Sequence, residues 1–212
     1  LGIPEDKIIE SQQYPHIQAE KLLIPYVHYQ GANWVGNFLR REFLPKSLSK
    51  YLNLSNNSTH QRIYISRKYA QYRRIINETE LVSYLGANFG FQSVTLETLP
   101  LAEQVAVLSA AKVVIAPHGA GLPNLVFCAP VTKIIEIFSP HYINRCYWLL
   151  SQQVSLDYYY LLAENHLADG WENYPKNQPG SPTQDPDMLV SLDKLAKLLE
   201  VAEVEPIYNV FS

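Results

Sequence analysis

Two short stretches of this 212-residue chain carry residue types suited to holding an anion. Arg67-Lys68 follows the apolar run Arg62 to Ser66 (RIYIS), and Arg73-Arg74 comes next, so four of the 17 basic residues fall within eight positions. His118-Gly119-Ala120-Gly121 follows the apolar run Lys112 to Ala116 (KVVIA) and opens toward a helix pattern. Glycines let a backbone come close to a ligand, and a helix start offers unpaired N–H groups at the positive end of a dipole. On that geometry Gly121 is the glycine expected to bring N–H groups against an anion, with a positive φ in the turn as its other reading. A plain strand-to-helix turn, with His118 as a hydrogen-bonded core residue, stays open for the same residues, and basic clusters are usually solvated faces. Glu136 interrupts the apolar IIEIF at 134–138. An unpaired buried carboxylate costs several kcal/mol, on the order-of-magnitude scale for buried ions, so it requires a partner. A ribose diol is one candidate; a backbone group or an arginine is the other.

Other chemistries fail on spacing. Gly119-Ala120-Gly121 begins like a dinucleotide fingerprint, but the third glycine position is Asn124 and Pro123 intrudes, which demotes a Rossmann-type oxidoreductase. There is no G-x-x-x-x-G-K-[ST], no G-x-S-x-G and no H-E-x-x-H. Asp185-Pro186-Asp187 mimics an acidic metal motif but follows a Pro-rich linker, and is read as a helix cap with Pro186 in the first position. Cys128 and Cys146 lack zinc-like spacing and suggest a reducing compartment. A net charge of -3 gives no field to draw nucleic acid, and no apolar run reaches the length of a membrane helix.

The elements that must position these residues read as alternating strands and helices, hence an α/β fold with a parallel sheet. The strands are Arg62 to Ser66, Ser93 to Glu97, Lys112 to Ala116 and Lys133 to Phe138. Between the first two, Leu81, Leu85 and Phe89 recur on one helix face; a helix opened by Pro100 precedes the third, and GLPNLVFCAP follows it as a short helix ended by Pro130. LDYYYLLAEN is a final candidate strand, and a last helix buries Leu192, Leu195 and Leu199. KIIESQ and KLLIPYV are candidate strands near the start, followed by an amphipathic NWVGNFLRREFL helix. The resulting division is an N-terminal segment at 1–60 that packs on or extends the sheet, a core at 61–172, and a linker with a helix folding back at 173–212. In such a sheet ligands bind beyond the carboxyl ends of the strands, so the loops at Arg67 and His118 would face each other across roughly 5 to 10 Å. The abrupt start without Met suggests a piece whose N-terminal partner lies elsewhere.

Five pieces in order, Y-I-S-R at 64–67, R-R-I-I-N-E at 73–78, E-Q at 103–104, A-P-H-G-A-G-L-P-N at 116–124 and I-I-E-I-F at 134–138, resemble glycosyltransferase family 61. That family includes bacterial capsular polysaccharide biosynthesis proteins and eukaryotic N-acetylglucosaminyl- and xylosyltransferases. The resemblance implies a GT-B-like enzyme of two Rossmann-like halves, with this chain as the C-terminal, donor-binding half. By motif it implies that Ser66, Arg67, Arg73 or Arg74, His118, Gly119, Ala120, Gly121 and Asn124 hold the diphosphate of a nucleotide sugar such as a UDP-sugar, with Glu136 near the nucleoside. It implies inversion at the sugar, no metal, no tightly bound cofactor and a glycan or polysaccharide acceptor. His118 is the one candidate base here, and the base is expected in the N-terminal half. Pro123 stands where many members have Thr or Ser, which removes a hydroxyl contact. The location implied is cytoplasmic, at the inner face of a bacterial membrane. A non-catalytic nucleotide-binding or scaffold domain is the reading from another class.

Overall fold

Runs such as VVIAP and KIIEIF, rich in β-branched residues and apolar on both faces, suit strands covered on two sides, which is the condition of a parallel sheet. The computed structural model describes residues 4–10, 12–14, 16, 18, 20, 21, 61–71, 73–166 and 187–207. There, β1 (Arg62–Ile65), β2 (Gln92–Val94), β3 (Val113–Pro117), β4 (Lys133–Phe138) and β5 (Asp157–Leu162) form an all-parallel sheet in the order β2-β1-β3-β4-β5. The protein is therefore α/β and Rossmann-like.

Helices cover both faces. On one face, Leu81, Leu85 and Phe89 of α1 (Glu78–Phe89) and Leu195 and Leu199 of α4 (Leu192–Val201) pack with Tyr64, Ile115, Ile135 and Ile137. On the other, Val105 and Leu108 of α2 (Leu101–Ala110) pack with Ile63, Ile65, Val114 and Ile134, joined by Tyr147 and Leu150 of α3 (Cys146–Gln153). The chain leaves β1 through α1 on one face and enters β3 from α2 on the other. The strand order reverses between β1 and β3, the switch point at which sheets of this kind place their ligand crevice.

A short antiparallel pair, β6 (Glu164–His166) with β7 (Asp187–Leu189), follows β5. β7 is tied to the segment before α1: Met188 N donates to Arg74 O, Ile76 N donates to Met188 O, and the Asn77 side-chain amide donates to Val190 O while accepting from Val190 N.

Several expectations need correction. Asp187 lies in a strand where the reading of Asp185 as a cap expected a helix, and α4 starts at Leu192 with Ser191 as its cap, whose hydroxyl accepts from Lys194 N; Asp185 and Pro186 themselves lie outside the described residues. β2 ends at Val94, because the chain turns at Leu96–Thr98, where Thr98 N and Oγ1 both donate to Thr95 O. The segment after H-G-A-G is a six-residue 3-10 helix, Leu122–Phe127, with Pro123 in its first turn, and it stops short of Pro130. KIIESQ shows no strand among its described residues: Glu5–Lys7 make one 3-10 turn, and Ile8 and Ile9 are exposed. KLLIPYV apart from Lys21, the NWVGNFLRREFL helix and the Asn173 to Pro186 linker lie outside the described residues. The helix α3 was not foreseen; Asn144 Oδ1, accepting from Cys146 N, marks its start.

Candidate functional site

β1 delivers Arg67 to the crevice. Ser66 N continues the ladder to Val94 O, and the buried Ser66 hydroxyl accepts from Lys68 N, turning the chain over the end of the sheet. The half-buried Arg67 side chain then crosses to the loop after β3 and lies over Gly119. A Cβ at residue 119 would stand 2.6 Å from Arg67 Cζ and closer still to Nη1. Only glycine leaves room for the guanidinium at this position. The two basic and glycine-bearing loops therefore meet directly at the switch point between β1 and β3.

β3 continues past Pro117, with His118 N donating to Ile137 O. Side chains two residues apart share a face, so His118 follows Ala116, and Ala116 is the register partner of Glu136 on β4. This diagonal brings His118 Nδ1 onto Glu136 Oε1, while the Tyr158 hydroxyl, reaching over from β5, donates to Glu136 Oε2. Glu136 is 0% exposed. The protein partners that its burial required are thus a histidine and a tyrosine, where an arginine or a backbone group was expected. Burial, then the Glu136 charge, raises Tyr158 far above the ordinary tyrosine range. The same two causes, in the same order, raise the Cys146 thiol. The His118 ring is enclosed by Phe138, Tyr142 and Tyr147, with centroids 5.2, 5.3 and 5.1 Å away. Tyr147 is pushed up to about 12, chiefly by burial.

The remaining candidates divide. Arg73 joins the His118 cluster, its guanidinium 4.5 Å from the Tyr142 ring centroid and its backbone at φ 55. That left-handed conformation costs a residue with a Cβ on the order of 1 kcal/mol. Arg74 turns to β7: its backbone N and Nε donate to Asp187 at 2.9 and 3.0 Å, and Nη2 lies 2.6 Å from the same carboxylate. Asn124 donates to Gln104 Oε1, and Gln104 donates to Leu96 O and Leu99 O, which fixes the loop after β2 against the 3-10 helix. Ala120 is exposed at the crest of the turn. Gly121 does not take the positive φ that was its other reading, and a side chain there would point away from the loop's outer face. Its φ of -74 suits any residue, and a Cβ there would meet Leu96 and Ile65 at 3.4 and 3.6 Å, on the core side. The helix-dipole contribution is also smaller than expected, since a short 3-10 segment sums few peptide dipoles and Leu122 N and Asn124 N already donate to Gly119 O and Gly121 O.

A groove of about 640 Å³ lies at the opposite, amino edge of the strands, lined by Arg62, Lys112 and Lys133 among others. It is larger than the hollows at the carboxyl edge, yet it has neither the crossing loops nor the buried His118–Glu136 contact, and α/β sheets bind ligands at the carboxyl ends. Among the described residues no three His, Cys, Asp or Glu side chains gather as a metal site, and no helix is long and apolar enough to cross a membrane.

A family model described as Glycosyltransferase 61 matches residues 3–135, a stretch that contains both crossing loops. The chain is 37% identical over 78 residues to an EGF domain-specific O-linked N-acetylglucosamine transferase of Drosophila melanogaster, covering 36% of this chain and 15% of that protein. It is 34% identical over 95 residues to a beta-1,2-xylosyltransferase of Oryza sativa subsp. japonica, covering 45% of this chain and again 15% of the relative. The chain thus spans about 15% of the length of the curated relatives it matches.

Proposed function

Because this chain belongs to the glycosyltransferase 61 family, we propose that it holds the sugar donor, a nucleoside diphosphate sugar with UDP as the nucleotide, for transfer to a glycan acceptor. The observation that carries this reading is the crossing of Arg67 over Gly119 at the switch point of the sheet. A guanidinium fixed over the glycine loop, next to the exposed Ala120, suits a diphosphate: it donates paired, charge-assisted hydrogen bonds and carries positive charge at every working pH. The printed names of the two relatives, an N-acetylglucosamine transferase and a xylosyltransferase, support the class of reaction and leave the sugar open.

The chemistry is a single displacement with inversion. An acceptor hydroxyl oxygen attacks the anomeric carbon, the bond from that carbon to the diphosphate oxygen breaks, and the nucleoside diphosphate leaves with the electron pair. The acceptor proton passes to a base. Charge accumulates on the departing diphosphate, so Arg67, Arg73 and the N–H groups of the Gly119-Ala120 turn stabilise the transition state more than the ground state, without a metal ion. Glu136 serves as a positioning residue: by occupying His118 Nδ1 it fixes the ring, as a carboxylate does for a catalytic or ligating histidine, and leaves Nε2 for any contact with substrate. The His118 side chain is only 6% exposed and walled by aromatic rings, a poor approach for an acceptor hydroxyl. The general base and the acceptor face accordingly belong to another part of the enzyme.

Calorimetric titration of the full-length protein with a panel of nucleotides and nucleotide sugars tests the reading, followed by mass detection of sugar transfer to glycan acceptors. UDP and one UDP-sugar are expected to bind, with loss of affinity in Arg67→Ala. Absence of binding by every nucleotide would overturn the donor role; binding without transfer to any acceptor would favour a non-catalytic nucleotide-binding protein.

A further inference from the structure

The carboxyl edge of the sheet extends past the crevice to a second hollow. On the face that carries Glu136, β4 ends in Phe138 and β5 contributes Tyr158 and Tyr160. Trp148 of α3 and Arg145 just ahead of it close a pocket of about 360 Å³ with these rings. Phe138 is the shared wall, stacked on His118 at 5.2 Å on one side and meeting Tyr160 edge-on at 6.3 Å on the other. From the end of β3 to the end of β5 is two strand spacings, roughly 10 Å. That is comparable with the span of a nucleotide from its diphosphate, across the ribose, to the base. Trp148 and Tyr160 present partly exposed ring surface at 38% and 58%.

We propose that this pocket receives the nucleobase of the donor, stacked against the Trp148 and Tyr160 rings; the inference rests on the nucleotide-donor reading above. The lining chemistry selects a base over a sugar ring. A sugar needs many hydroxyl partners, but among the described residues the pocket lining includes no Asp, Glu, Asn or Gln, and the Tyr158 hydroxyl is committed to Glu136. Aromatic walls instead suit a planar π system. Arg145 offers donors only, so it matches a base edge with carbonyl acceptors, as in a pyrimidine dione. The pocket takes over the nucleoside role that Glu136, fully buried behind His118 and Tyr158, is not placed to fill. Phe138, Arg145, Trp148 and Tyr160 all lie beyond the residues matched by the family model, on the last residue of β4, on α3 with its cap, and on β5.

Calorimetry on the full-length protein with UDP, uridine and inorganic pyrophosphate separates the two claims. Trp148→Ala is expected to weaken UDP and uridine by roughly tenfold or more, the scale of a lost base–aromatic stack, and to leave pyrophosphate unchanged. Arg67→Ala is expected to weaken UDP and pyrophosphate and to spare uridine. If Trp148→Ala leaves UDP affinity intact while Arg67→Ala reduces it, the base pocket is overturned and the donor reading stands. If the parent protein binds neither UDP nor pyrophosphate, the donor reading falls first. Loss of an acceptor oligosaccharide in place of uridine would make the pocket an acceptor subsite and overturn the inference. Arg145→Leu, at an exposed position, supplies the same comparison should Trp148→Ala fail to fold: reduced UDP binding with pyrophosphate unchanged is expected, and an unchanged UDP affinity overturns the base assignment.

Discussion

Replacing Gly119 with alanine isolates the contact on which the donor site depends. The added methyl would lie 2.6 Å from Arg67 Cζ and 3.3 Å from Nε, well inside van der Waals contact, so the guanidinium must leave its place. What moves is the far end of a flexible side chain, which relocates cheaply, and replacing glycine by alanine also reduces the entropy of the unfolded chain. Stability should therefore hold, with the thermal midpoint within about 2 °C of the parent, less than 1 kcal/mol for a chain of this size. Binding should not. A charge-assisted hydrogen-bonding group is worth about 1.5 to 3 kcal/mol, so UDP affinity is expected to fall roughly ten- to a hundredfold. Since both substitutions remove the same contact, the Arg67→Ala, Gly119→Ala double variant should lose little more than Arg67→Ala alone, a strong departure from additivity. Gly121→Ala is the control: its Cβ meets Leu96 and Ile65 at ordinary contact distances of 3.4 and 3.6 Å, and UDP affinity should not change. Calorimetric titration beside thermal unfolding reads all four variants against the parent. Native UDP affinity in Gly119→Ala, or full additivity in the double variant, would refute the crossing of Arg67 over Gly119 as the diphosphate clamp.

Glu136→Ala leaves the His118 Nδ1 and the Tyr158 hydroxyl without their shared partner, and urea unfolding should register a loss of about 2 to 6 kcal/mol, at roughly 1 to 3 for each polar group left unpaired, largely recovered in Glu136→Gln; an unchanged midpoint in the alanine variant would dissolve the buried pair. Tyr64, Tyr147 and Tyr158 are all raised above the usual 10.0, burial being the first cause in each. Above about pH 10 the folded state thus holds protons that the unfolded chain has released, so stability is intact below that pH and falls as pH rises through it. Urea melts between about pH 9 and 11 should show the decline, shallower in Tyr158→Phe, and a flat profile would count against these shifts. Arg74→Ala should leave UDP affinity unchanged, because the guanidinium is bound to Asp187 on β7; a tenfold loss would return Arg74 to the donor site.

Local chemistry made much of the fold legible. Apolar β-branched runs marked β3 and β4, Leu81, Leu85 and Phe89 at helical spacing marked α1, and Pro100 marked the start of α2, because each signal lies within one element and needs no distant partner. Arg67 and the H-G-A-G turn could be singled out for the same reason: a basic or glycine-bearing loop after a parallel strand is suited to anions wherever that strand sits in the sheet. The tertiary structure alone decided what depends on residues far apart in the chain. Strand order set β1 beside β3 and so laid Arg67 on Gly119, a distinction between two glycines that their shared motif did not contain. Register placed Glu136 diagonally from His118 and within reach of Tyr158, giving the buried carboxylate partners that spacing did not name, although two tyrosines alternating on LDYYYLL were a signal that such hydroxyls could share its face. Asp187, expected in the first turn of a helix capped by Asp185, became a strand residue because β7 found backbone partners at Arg74 and Ile76, more than a hundred residues earlier, and a sequence pattern carries no record of a ladder whose other rail is that far away.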